Sequence, residues 1–326
     1  MQGSGKWKAN AVFALALATG AIFPAMAEEA SAATEAFDYP HRVAEALRHE
    51  DGLREQLLAR LLQSGSDASV VADDGLLARV DASDDPIALV LAVQVGIRSK
   101  DIELRDVAAS RWQALEPDNL APLAFVDEAG EMMLSRAEEA RRFEMHYYDL
   151  IRYLTGVFRA HPQSEREMQA GREQGYSAES MASIMAFAVS AAYALPSLTP
   201  LTRSCRDEAL QVDDRRQHCL DAAQTLVDHS DTLIGRSIGI SMLEQAGDAP
   251  ELARQAKRLR RQYAWEIENL YGRATDLTDA QDIAEVVQLI DKPGIDSEMA
   301  LIAERLRLRG VSPTPPEDWQ PETPPN

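Results

Sequence analysis

Residues Gly235-Arg236-Ser237-Ile238-Gly239 match the G-x-S-x-G pattern that, in α/β-hydrolases, sets a nucleophilic serine on a sharp strand-to-helix turn. That chemistry needs a strand before the first glycine, and here Leu220, Ala223, Leu226 and Val227 recur at helical spacing instead. It also needs a histidine after the serine. The six histidines are His41, His49, His146, His161, His218 and His229, and none follows Ser237. A triad in another chain order would leave the glycines unexplained. A packing role explains them: on a helix from about Asp231 to Ala246, capped by Ser230 or Asp231 and stopped by Gly247, Gly235 and Gly239 fall on one face. Small residues four apart let a second helix come close. That contact offsets a cost of about 1 kcal/mol per glycine.

A second constellation is His41, Glu45 and His49, spaced by four and so able to offer a metal two imidazoles and a carboxylate from one helix face. The same spacing suits a solvated stripe, and Asp51-Gly52 invites fraying. Asp228-His229-Ser230-Asp231 holds hydrolase residue types side by side, but sequence neighbours splay apart, and capping of the next helix is their expected use. There is no H-E-x-x-H, no phosphate-binding Walker loop and no G-x-G-x-x-G, so no cofactor is expected. An enzyme would have to assemble its site from scattered residues such as Glu45, His49, Glu144 and His146. The stripe Arg254, Lys257, Arg258 and Arg261 is expected to pair with Glu251, Glu266 or Glu268.

The elements that must carry these residues read as helices throughout. Apolar residues recur at helical spacing over 40–63, with a break at Asp51-Gly52. Asp85 as N-cap and Pro86 in the first turn open a helix to about Ile97. Further helices are predicted at 101–115, 120–130, 135–159, 177–195, 215–228, 231–246, 250–272, 279–290 and 295–309. No period-2 alternation is sustained, so the fold class is all-α. Met181–Leu195 is apolar all round but too short to span a bilayer, and reads as a central buried helix. The polar stretch 161–176 is the candidate linker between helical regions at 38–160 and 177–310. Residues 311–326, rich in proline, read as a disordered tail.

The first residues describe an address. Lys6 and Lys8, the apolar run Ala11–Phe23 and the Ala25-Met26-Ala27 site form a secretory signal peptide cleaved after Ala27, followed by a disordered lead over 28–37. The use of 28 Arg against 5 Lys, with abundant Ala, suggests a GC-rich bacterium and hence a periplasmic location. Cys205 and Cys219 are the only cysteines, so an oxidising compartment allows one disulfide. Removing the leader takes away two lysines and no acid, leaving 31 basic and 53 acidic residues, a net charge of −22. Nucleic acid and anionic membrane surfaces are therefore excluded as favoured partners, and stable membrane insertion is not expected. Basic proteins or cationic ligands are favoured, although such a charge also simply keeps an exported protein soluble.

Residues 83–93 ("SDDPIALVLAV") align with 116–126 ("EPDNLAPLAFV") at an offset of 33, superposing Asp85 on Asp118, Ile87 on Leu120, Ala88 on Ala121 and Val93 on Val126. The run Arg111–Ala129 resembles the junction between consecutive tetratricopeptide repeats, a likeness confined to about residues 85–130. The small residue and aromatic of that family's first helix fall here on Val93 and Gly96, and the alanine of its second on Arg105. The resemblance implies stacked helical hairpins in a tetratricopeptide-like superhelical array, with a concave face that holds a protein or peptide. The functional expectation is an exported acidic binding protein. A stoichiometric inhibitor or envelope-maintenance factor is the alternative, and a metal-dependent enzyme a third. Oligomeric state is left open.

Overall fold

The computed structural model describes residues 38–63, 74–173, 175–193, 195–206, 210–246, 250–271 and 280–321; the predicted leader, its cleavage site after Ala27 and the 28–37 lead lie outside them. Among the described residues every regular element is helical, with fifteen α-helices and no strand. The all-α expectation holds.

The chain opens with α1 (Asp38–Leu47), α2 (Leu53–Gln63) and α3 (Asp74–Asp81). Next come α4 (Pro86–Ser99) and α5 (Ile102–Leu115). Asp85 caps α4 as predicted, its carboxylate accepting from the amides of Ile87 (3.0 Å) and Ala88 (3.4 Å), and Asp101 caps α5 through the Leu104 amide (3.0 Å). Every residue of α4 from Ile87 to Gly96 is buried, and α5 packs back along it with Trp112 fully enclosed. This hairpin occupies the first part of the 85–130 stretch on which the repeat expectation rests. The pattern does not continue at its next turn: the helix predicted over 120–130 is a short 3-10 turn at Pro122–Phe125, followed by α6 (Ala129–Ser135). Likewise the helix predicted over 135–159 is interrupted by an irregular stretch, and α7 spans only Tyr147–Ala160.

The proposed linker is also structured. Within 161–176 lies α8 (Glu165–Glu173), tied to α1 by an Arg42–Glu167 ion pair of 2.9 Å, with Met168 and Tyr176 buried. One hydrophobic cluster runs from Tyr39 to Leu301, across the proposed boundary. Beyond it come α9 (Ala178–Ala191), α10 (Thr199–Ser204), α11 (Asp213–His229) and α12 (Leu233–Ala246). The last three are α13 (Pro250–Tyr271), α14 (Ala280–Ile290) and α15 (Glu298–Leu308). Helix α9 is buried on one face only: small residues Ala182, Ser183, Ala186 and Ser190 face inward, while Ile184, Met185 and Phe187 stay half-buried. It is thus a packed outer helix against α7 and α14, not the central one expected. Cys205 and Cys219 form the predicted disulfide, joining the end of α10 to α11.

The proline-rich tail departs most from expectation. Residues 311–321 have defined positions along α13, with Pro315 buried. Only 322–326 of the predicted disordered segment lie outside the described residues.

Candidate functional site

Two places gather polar side chains, and the first is where α7 begins. Residues 141–145 run extended between two other backbone segments. The Leu120 amide donates to the Arg142 carbonyl (3.0 Å), the Phe143 amide to the His229 carbonyl (3.0 Å) and the Asp231 amide to the Phe143 carbonyl (3.1 Å). Asn119, fully buried, clamps this crossing with its whole hydrogen-bonding capacity. Its oxygen accepts from the Ala121 and Glu144 amides (3.0 and 2.9 Å), and its nitrogen donates to Glu116 Oε2 (2.8 Å) and the Glu144 carbonyl (2.9 Å).

The clamp delivers His146 in the left-handed backbone region (φ 53°) to the face of Trp112, ring centroids 5.9 Å apart. Its Nε2 lies 2.9 and 3.1 Å from the two Glu116 oxygens, and Glu116 also accepts from Trp112 Nε1 (2.9 Å). On the other side of the ring, Nδ1 is 3.5 Å from Glu144 Oε1 and 3.7 Å from Asp149 Oδ2. The second oxygen of each of these acids is held by an arginine, Arg142 on Glu144 (2.6 Å) and Arg152 on Asp149 (2.9 Å). Burial alone would favour a neutral ring, but Asp149, Glu116 and Glu144 outweigh it and hold the imidazolium up to about 10. Burial of Glu116 pushes its carboxyl up, and the hydrogen bonds from His146, Asn119 and Trp112 bring it down to about 2. Asp231 lies beneath the same bend. Its Oδ2 accepts from the Met145 amide (2.9 Å) and more weakly from Tyr147 (3.4 Å), its Oδ1 has no partner, and burial pushes it up to about 7.

Among the described residues, Glu144, His146 and Asp149 are the group whose ligand atoms approach closely enough to share a metal, all within 4.8 Å. The predicted trio does not come together. His41, Glu45 and His49 are all exposed, His49 lies past the end of α1 at Leu47, and Glu45 is engaged by Arg48 (3.2 Å) and Gln63 (3.3 Å). Ser237 sits in the middle of α12, where no nucleophile elbow can form. An open hollow of about 440 Å³ is lined by Glu165, Gln169, Arg172 and Glu173, all on α8, and is a helix surface rather than a binding cavity.

No family model, curated protein or solved structure matches the chain. The case for function therefore rests on its own geometry.

The glycine pair divides into two roles. A Cβ on Gly239 would stand 2.7 Å from the Ala223 carbonyl oxygen and 2.9 Å from the Val227 amide, so this glycine does let α11 and α12 touch. A Cβ on Gly235 would instead meet Ser230 Oγ at 2.2 Å, within the turn that precedes its own helix. The cap of α12 is Thr232, whose Oγ1 accepts from the Gly235 amide (3.2 Å), one residue beyond the predicted pair. Ser230 Oγ accepts from the Thr232 amide (3.1 Å) and closes that turn.

The second place is the outer face of α13, where 311–321 form a strap. Trp265 Nε1 donates to the Ser312 carbonyl (2.8 Å) and Gln262 Nε2 to the Pro313 carbonyl. Arg261 donates to the carbonyls of Pro316, Glu317 (3.0 Å) and Trp319 (3.1 Å). The Trp319 ring meets Trp265 edge-on at 5.1 Å, with the Arg261 guanidinium 5.9 Å from its centroid. The predicted acid partners of the basic stripe are only partly used. Arg254 pairs with Glu251, but Glu266 is engaged by Arg236 (2.5 Å), and Arg261 is spent on the strap. Lys257 and Arg258 are exposed, with no ion pair among the described residues.

Proposed function

We propose that this chain is an exported, acidic, all-helical protein that acts by binding a protein or peptide partner rather than by catalysis. The observation that carries this reading is the strap: a proline-rich segment, turned at Pro316–Trp319, that is held through its backbone carbonyls by side-chain donors of one helix, a kind of contact that peptide-recognition surfaces use. The Cys205–Cys219 bridge and the leader-like N-terminal sequence support export to an oxidising compartment such as the periplasm. The tetratricopeptide resemblance over about residues 85–130 adds the expectation of stacked hairpins with a partner-binding face. A stoichiometric inhibitor or envelope-maintenance factor is the alternative to it.

The test is affinity capture by the chain from Glu28 to Asn326, out of periplasmic extract, at low and moderate salt. One stoichiometric protein partner supports the reading. Capture of nothing at either salt overturns it.

A second reading is favoured by the Glu144, His146 and Asp149 grouping. Glu116, Asp118, Glu144 and Asp149 against Arg142 and Arg152 leave two negative charges around the ring, which a proton on His146 halves and a divalent cation would cancel. Glu116 behind Nε2 has the carboxylate–histidine arrangement that orients metal-ligating imidazoles. Equilibrium dialysis against Mn²⁺ and Zn²⁺ tests it: one ion bound per chain and lost in His146→Ala supports the site, and no stoichiometric binding removes it.

A further inference from the structure

We propose that the outer face of α13 is a docking site for acidic, proline-rich peptides of a partner protein, and that residues 311–321 are its resident internal occupant. This rests on the peptide-binding reading above and names the class of partner.

The chemistry of the two surfaces is matched in a way that is not tied to this particular strap. Proline has no amide hydrogen, so a proline-rich strand offers the outside mainly carbonyl acceptors. The groups of the face that meet it are donors: an indole N–H from Trp265, the amide NH₂ of Gln262 and the guanidinium of Arg261. All five hydrogen bonds between these three side chains and the strap end on backbone carbonyls, those of Ser312, Pro313, Pro316, Glu317 and Trp319. The one strap side chain with a ring contact to the face is Trp319. A different proline-rich segment with an aromatic residue at the same spacing, able to make the same turn as Pro316–Trp319, satisfies the same donors, because its prolines restrict the backbone before it binds.

Charge defines the class further. The strap carries Glu317 and Asp318 and no basic residue. Its carbonyls at Pro316, Glu317 and Trp319 are held by Arg261, one helical turn nearer the start of α13 than Trp265, and exposed Lys257 and Arg258 lie further along the helix in that direction. In a chain with a formal charge of −20, this helix supplies a local basic surface. An acidic peptide is favoured there, in contrast to the basic partner that net charge alone suggests.

The two ends of the strap are held differently. Val311 packs into a small cluster with Leu233, Ile302 and Leu306, directly after Gly310 in the left-handed region (φ 66°) that ends α15. The outer end rests on Arg261 and the Trp265–Trp319 contact. Only two residues separate α15 from Val311, so the anchor holds the inner end of the strap beside the α13 of its own chain. A partner's peptide therefore competes by lifting the outer end, and its apparent affinity is reduced by the fraction of time the strap is closed.

The experiment titrates a fluorescein-labelled peptide of residues 311–326 against three full-length proteins: wild type, Trp319→Ala, and Trp319→Ala combined with Arg261→Ala and Gln262→Ala. Circular dichroism melts establish that all three are folded. Trp319→Ala weakens the strap and leaves the face intact, so the peptide should bind it about tenfold more tightly than wild type. Binding should be lost in the triple variant, weakened by salt, and lost when the peptide's prolines are replaced by alanine. No binding to Trp319→Ala, or equal binding to all three proteins, overturns the assignment. If affinity capture still returns a stoichiometric partner in that case, the general peptide-binding reading survives and only its placement on α13 fails.

Discussion

Asn119 holds together three segments that are distant in sequence, and its removal has a calculable consequence. In Asn119→Ala the buried Ala121 amide and both backbone groups of Glu144 lose partners, and Glu116 loses a donor. The expected cost is about 3 kcal/mol or more, read from urea denaturation midpoints. Asn119→Asp should be comparably harmful despite its shape, because it cannot donate to the Glu144 carbonyl and puts a charge beside Glu116; a midpoint within error of wild type would contradict the clamp. Glu298 makes a pH prediction. Burial pushes its carboxyl from 4.5 to about 7, against the pull of the Leu233 amide that donates to it. The unfolded chain then releases that proton more readily than the folded one, so stability is full below about pH 4.5 and falls as pH rises toward 7. Glu298→Gln keeps an acceptor for Leu233 and removes the titration, so its melting temperature should change less between pH 5 and pH 8 than that of wild type. Asp231, also near 7, has the same sign and leaves a residual slope; an unchanged slope in the variant would exclude Glu298 as a source. Little of this site was legible in the sequence. Glu144 and His146 stand out as residue types, but Glu116 lies 30 residues before His146 and Asp231 86 residues after Met145, and no local spacing links such partners.

At the scale of elements, legibility follows the origin of each helix. Where local chemistry decides, as with the Asp85 cap and Pro86 at the start of α4, boundaries could be read directly. Where tertiary partners decide, they could not. Helical spacing continues through 135–159, yet 141–145 are drawn into extended form by the backbones of 118–120 and 229–231, which supply hydrogen bonds a helix there would have had to forgo. The same distinction separates the two glycines that looked equivalent. At Gly239 a methyl group collides with backbone atoms of α11, which can yield only if two packed helices separate. Gly239→Ala should therefore destabilise by about 1–3 kcal/mol, even after the gain in helix propensity of about 1 kcal/mol. At Gly235 the nearest obstacle is the Ser230 hydroxyl, a side chain that can rotate, so Gly235→Ala should cost less. Thermal melts of the two variants decide the order; the reverse order would mean that α11 and α12 do not rely on the close approach at Gly239.

At the scale of the whole molecule, the polar composition of 161–176 suggested two units, and packing argues for one. A helix fills that stretch, Arg42 binds across to Glu167, and Arg152 of α7 donates to the Ile290 carbonyl (2.8 Å) near the C-terminal end of the chain. The largest hydrophobic cluster has members from α1 to α15, so neither half can expose its side of the core without exposing the other. Unfolding should thus appear in calorimetry as one transition with the Cys205–Cys219 bridge intact. The bridge closes a loop of 14 residues, both cysteines are buried in the same cluster, and its removal should cost about 3 kcal/mol by restoring entropy to the unfolded chain. Because the loop belongs to the common core, the expected effect of reduction, or of Cys205→Ala with Cys219→Ala, is a shift of that single transition by several degrees with its shape retained. A trace that splits in two on reduction would mean that the 38–160 and 177–310 regions are joined chiefly by the bridge, and one that does not move would mean that the loop is already ordered without it.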